Sequence, residues 1–119
     1  LVGPNSLLLA LMASGLNGQQ FEFVGYLPVE TAARNKRIKE LELSSAKNNS
    51  TKLFIETPYR NNALLESLLQ QLQPATRLCI AQHITATDER IITQKVADWK
   101  KNKPSLPKQP AIFLFLAGN

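Results

Sequence analysis

Residues 52–62 of this 119-residue chain, KLFIETPYRNN, constrain its fold more than any other stretch. Leu53-Phe54-Ile55 reads as a short buried strand that stops at a charged residue, Glu56. Thr57 and Pro58 then make a sharp helix start. Thr57 serves as N-cap, and Pro58 takes the first helical position, where its missing N–H costs nothing. The following helix carries Leu64, Leu65, Leu68, Leu69 and Leu72 on one side. That stripe is too short for a coiled-coil seam, so it faces a core. A strand running directly into a helix is the building unit of α/β sheets. The carboxylate at such a junction sits where these proteins present groups to a ligand. Capping of its own turn explains Glu56 equally well.

Helix and strand signals alternate on both sides. Asn5 or Ser6 can cap a helix over residues 7–14 that is apolar nearly all round, hence buried on several sides, and Gly15 stops it. Residues 21–27 alternate as a strand, ended by Pro28. Residues 29–48 are charged and helical, with Ala32, Ala33, Ile38, Leu41 and Leu43 as sparse apolar positions. The basic run Arg34, Lys36, Arg37 and Lys39 reads as a solvated surface, with a phosphate-binding face as the alternative. After the leucine helix come a strand over 77–84, a turn at 86–89, and a strand over 90–94. The short link makes those two strands antiparallel. A short helix with Trp99 spans 96–101. Lys100, Lys101, Lys103 and Lys108, with Pro104, Pro107 and Pro110, form a stiff basic loop before the most apolar strand, residues 111–116. The expected fold is a single three-layer α/β domain with a mixed sheet of about five strands flanked by helices.

The net charge of +5 and pI near 9.6 permit an anionic partner without demanding one. No run of 18 or more apolar residues is present, so nothing reads as a membrane span. The single cysteine, Cys79, lies in an apolar run and reads as a buried thiol; it excludes an internal disulfide framework and points to a cytoplasmic protein. One histidine and one cysteine cannot furnish a common zinc site. His83, alone at a strand end, reads as a hydrogen-bonded structural residue rather than a base. No nucleophile triad or Walker-type loop is present. The residues alone give an α/β domain with a candidate site at Glu56 and no named reaction or catalytic residue.

A resemblance goes further. Gly3-Pro4-Asn5-Ser6, Ser14-Gly15-Leu16, Gly25-Tyr26-Leu27-Pro28 and Leu53-Phe54-Ile55-Glu56-Thr57-Pro58-Tyr59-Arg60, in that order, resemble the tetrapyrrole (corrin/porphyrin) methylase superfamily. Within it, the branch that methylates a ribose 2′-hydroxyl of small-subunit ribosomal RNA is the most similar. The resemblance implies that residues 1–119 are the C-terminal domain of a two-domain methyltransferase whose N-terminal domain lies outside this chain. It implies S-adenosylmethionine as cofactor, held between the domains. Carried over by motif position, the cofactor-lining residues are Asn5, Ser6, Glu56, Ile84, Thr85, Ala117 and Gly118. The chain departs from the pattern at Val2-Gly3-Pro4, where Pro-Gly is usual, and at Gln82-His83, where the ribosomal branch often has Arg-Glu. Small-subunit ribosomal RNA is the implied substrate, with a tetrapyrrole or corrinoid as the alternative acceptor and a homodimer as the implied assembly. The isolated domain is expected to be inactive, since half of the cofactor pocket lies elsewhere. A non-catalytic dimerisation or nucleic-acid-binding module is the competing reading.

Overall fold

A strand with apolar residues at every position belongs in the middle of a sheet, and the 111–116 run is found there. The computed structural model describes residues 10–12, 14–16, 19–82, 90–107 and 109–117. Among them are five strands: β1 (Phe21–Tyr26), β2 (Thr51–Glu56), β3 (Arg77–Gln82), β4 (Arg90–Lys95) and β5 (Ala111–Leu116). They form one sheet in the order β1-β2-β5-β3-β4. The β1–β2 pair is parallel; the β2–β5, β5–β3 and β3–β4 pairs are antiparallel. The mixed sheet and the antiparallel β3–β4 pair are as expected from sequence. Among the described residues, no helix is long and apolar enough to cross a membrane.

Three helices, α1 (Thr31–Asn48), α2 (Asn61–Gln71) and α3 (Val96–Lys101), pack on one sheet face. Leu64, Leu65, Leu68, Leu69 and Leu72 all lie in that core with Ile38, Leu41 and Trp99, against Phe54, Leu78, Phe113 and Phe115. Phe54 stacks on Phe113 with ring centroids 5.8 Å apart and meets Phe115 edge-on, an arrangement each pair of which contributes about 1 kcal/mol beyond burial. Trp99 Nε1 donates to the Leu78 carbonyl at 2.9 Å, so the indole is buried with its polar atom satisfied. On the other face, Ala10, Leu11 and Leu16 cover Leu53, Cys79, Ala81, Ile112 and Leu114. Burial pushes the Cys79 thiol up, opposed by a hydrogen bond with Thr93. Residues 10–12 and 14 are helical, and Gly15 follows at φ +74°, the left-handed stop expected there.

Helix α1 corrects two expectations. Leu43 is 74% exposed and takes no part in the core. Arg34, expected on a solvated face, is 6% exposed. It donates through Nε to Ser67 Oγ at 3.0 Å and through Nη1 to the Val29 carbonyl at 3.4 Å. The buried positions are Arg34, Ile38, Leu41, Glu42 and Ser45, a clean helical stripe on which two charged residues replace apolar ones. Glu42 Oε2 accepts from the Gln73 N–H at 2.8 Å and from Thr76 Oγ1 at 2.6 Å, tying α1 to the loop before β3. Of the remaining basic run, Arg37 pairs with Glu40 at 3.7 Å, while Lys36 and Lys39 are exposed.

Candidate functional site

Because β5 runs antiparallel between β2 and β3, strands β1, β2 and β3 all point the same way. Their last residues, Tyr26, Glu56 and Gln82, therefore lie on one edge of the sheet. β5 begins on that edge, with Ala111 registered against both Glu56 and Gln82. This carboxyl edge is where α/β sheets hold ligands, since the chain leaves the strands there and its ends point outward.

Glu56 is almost wholly buried. Its Oε1 accepts from the Thr57 N–H at 2.7 Å and from Arg60 Nε at 3.2 Å. The carboxylate thus fixes its own strand-to-helix turn, while Oε2 makes no hydrogen bond among the described residues. Thr57 was expected to cap the helix; its side chain makes no capping bond. Pro58–Arg60 instead form a single 3-10 turn, closed by the Arg60 N–H on the Thr57 carbonyl at 3.0 Å, and α2 begins at Asn61. The physical reason is that the Arg60 N–H, the donor a capping hydroxyl at Thr57 would take, is already held by the Thr57 carbonyl.

The chain before β5 is strapped to this edge by amide side chains that sequence reasoning passed over. Asn61 Nδ2 donates to the Gln109 carbonyl at 2.6 Å. Asn62 holds Leu106 from both sides, accepting from its N–H at 2.8 Å and donating to its carbonyl at 3.2 Å. Gln82 Nε2 donates to the carbonyls of Pro107 and Gln109, each at 3.3 Å. Asn61 Oδ1 and Gln109 Oε1 are buried acceptors with no partner among the described residues. A strand-terminal polar residue level with Glu56 was the available signal for Gln82. The Asn61-Asn62 pair offered none, because its partners lie 44 to 48 residues away.

Of the residues expected to line a cofactor, the structure describes Glu56 and Ala117; Asn5, Ser6, Ile84, Thr85 and Gly118 lie outside the described residues, as does His83. Glu56 and Ala117 are not brought together. Ala117 follows the far end of β5, six residues beyond the Ala111 that faces Glu56, or roughly 20 Å at 3.4 Å per residue. Its N–H donates to Ser45 Oγ at 2.9 Å beside an open groove lined by Glu42, Gln73 and Thr76. The antiparallel direction of β5 places its end on the opposite edge from its start.

No family model matches the chain. Ribosomal RNA small subunit methyltransferase I of Vibrio cholerae is 34% identical over 98 residues, covering 82% of this chain and 33% of that protein. The enzyme of the same name from Mycobacterium tuberculosis is 34% identical over 92 residues, 77% of this chain and 31% of that protein. Over this span the chain is similar to these ribosomal RNA methyltransferases. It spans about a third of the length of the curated relatives it matches. The fold is that of the tetrapyrrole methylases. Methyltransferase CobJ superposes with a TM-score of 0.59 at 18% identity, over 92% of this chain and 46% of that one. Uroporphyrin-III C-methyl transferase from Thermus thermophilus, complexed with S-adenyl homocysteine, gives 0.53 at 16% identity over 90% of this chain and 48% of that one.

Proposed function

We propose that this chain is the C-terminal domain of an S-adenosylmethionine-dependent methyltransferase that modifies small-subunit ribosomal RNA in the cytoplasm, at a ribose hydroxyl. One observation carries the reading: 34% identity to named ribosomal RNA methyltransferases across 82% of the chain. The site residues fit the cofactor, which carries amino and hydroxyl donors. Glu56, the last residue of β2, puts an acceptor carboxylate at the carboxyl edge for such donors.

Glu56 would wall the cofactor side of the cleft, with the edge residues around Ala111 and Gln82 beside it. When bound, the cofactor supplies an electrophilic sulfonium methyl. The chain's own part is to bind and orient. Glu56 is held in place by Thr57 and Arg60, and the β5 approach by Asn61, Asn62 and Gln82, so the wall is rigid before a ligand arrives. Such positioning lowers a two-reactant barrier by roughly 7–11 kcal/mol in favourable cases. A second copy of the protein completes the proposed assembly as a homodimer, which sedimentation of the full-length protein tests directly.

Methyl transfer from labelled cofactor to small ribosomal subunits, set against tetrapyrrole acceptors, tests the reading with the full-length protein. Label in ribosomal RNA alone is the expected result. Label in the tetrapyrrole instead assigns the alternative acceptor, and label in neither removes the enzymatic reading in favour of a binding module.

A further inference from the structure

We propose that Tyr26 and Tyr59, with Arg60, form a stacking platform at the carboxyl edge for an unpaired nucleotide of the RNA acceptor. The proposal rests on the methyltransferase reading above and names the side chains that meet its substrate. Folding buries Phe54, Phe113, Phe115 and Trp99 and leaves Phe21 and Phe23 about half exposed; among the described aromatics Tyr59, at 85%, and Tyr26, at 60%, are the most exposed. Both flank Glu56. Tyr26 ends β1 in register with Ile55, the residue before Glu56, and Tyr59 is the middle residue of the 3-10 turn just after it. Their backbones are fixed, one by strand pairing and the other by the closed turn, so the rings stand on rigid supports.

Arg60 adds the complementary charge. Its Nε is committed to Glu56 at 3.2 Å, and its side chain is 40% exposed, so its terminal nitrogens are available to a phosphate. Rings beside a guanidinium are the combination by which proteins hold unpaired RNA: bases splay out and stack on aromatic faces while cations meet the backbone. A net charge of +5 draws a polyanion to the molecule. A ribose hydroxyl inside a folded RNA reaches a cofactor cleft only if its nucleotide is drawn out, and a stacked base keeps it there.

The test uses the full-length protein and its Tyr26→Ala, Tyr59→Ala, Tyr26→Phe and Tyr59→Phe variants. Binding of a fluorescein-labelled short single-stranded RNA is read by anisotropy, and cofactor binding by calorimetry. Each alanine variant is expected to bind RNA roughly tenfold more weakly, with the phenylalanine variants within about twofold of the parent because the ring carries the stacking. Cofactor affinity is expected to stay unchanged throughout. Alanine variants that bind RNA as the parent does overturn the platform while leaving the parent's methyl transfer intact. Loss of cofactor affinity in those variants also overturns it, assigning the rings to the cofactor. A parent protein that transfers no methyl group to ribosomal RNA overturns the underlying reading and the platform with it.

Discussion

Glu56 and Glu30 are both carboxylates that satisfy backbone donors at the start of a helical segment, and burial makes their consequences differ. Glu56 is sealed in, and its Oε1 serves both Thr57 and Arg60. Glu56→Ala strands those two donors, and urea denaturation is expected to show a loss of about 1–3 kcal/mol. A loss below the experimental scatter would leave the turn without need of the carboxylate. Glu30 caps α1 in full solvent, accepting from the N–H groups of Ala33 at 2.8 Å and Ala32 at 3.1 Å. Those two bonds, ahead of the nearby Arg34 charge, hold its carboxyl below the ordinary 4.5. A carboxylate that titrates lower when folded stabilises above its unfolded value, and the benefit is lost as pH falls from 4.5 through the lower folded value. Glu30→Gln is therefore expected to lower the melting temperature at neutral pH, with the difference shrinking as the buffer is acidified below 4.5. A difference that grows in acid would reverse the assignment.

At the scale of elements, the chain uses polar side chains as ties where sequence patterning led us to expect solvent. Arg34 joins α1 to α2 through Ser67 and secures the Val29 carbonyl ahead of α1. Arg34→Ala removes both bonds and the packing of the aliphatic stem, and is expected to destabilise by about 2 kcal/mol in chemical denaturation. A value near zero would return Arg34 to the solvated surface. In β1, register shifts between Phe23 and Gly25, and Gly25 holds φ +86°, a conformation that strains any residue with a Cβ. Gly25→Ala is expected to cost about 1–2 kcal/mol through that backbone alone, since open space surrounds the position and no clash contributes. The same bulge sets where Tyr26 leaves the sheet edge. RNA affinity in Gly25→Ala should therefore fall along with stability if the platform forms as proposed.

At the scale of the whole molecule, one sheet separates two apolar layers, and β5 is the strand they share. Leu114 is fully buried on one face while Phe113 and Phe115 are fully buried on the other. Leu114→Ala is expected to cost about 2–5 kcal/mol, a large part of the stability of a domain this size. The proposed cofactor edge has a different dependence on size. With only one wall of the proposed cleft in this domain, calorimetry should find S-adenosylmethionine binding to the full-length protein and none to residues 1–119. Tight binding by the shorter chain would place the whole pocket within it.

Local pattern by itself determined the strands, the leucine face of α2, the antiparallel β3–β4 pair and the special place of Glu56. Each of these is written in neighbouring residues, as apolar runs, a helical period of leucines, a short link and a charge at a strand end. Tertiary structure decided the rest, because its causes lie far apart in the chain. Burial of Arg34 depends on Ser67, 33 residues away, and the strap at the site depends on Asn61 meeting Gln109, 48 residues away. The direction of β5 decided which strand ends share an edge. It put Ala111 and Gln82 beside Glu56 and sent Ala117 to the other side, an outcome that strand pairing sets and local sequence does not encode.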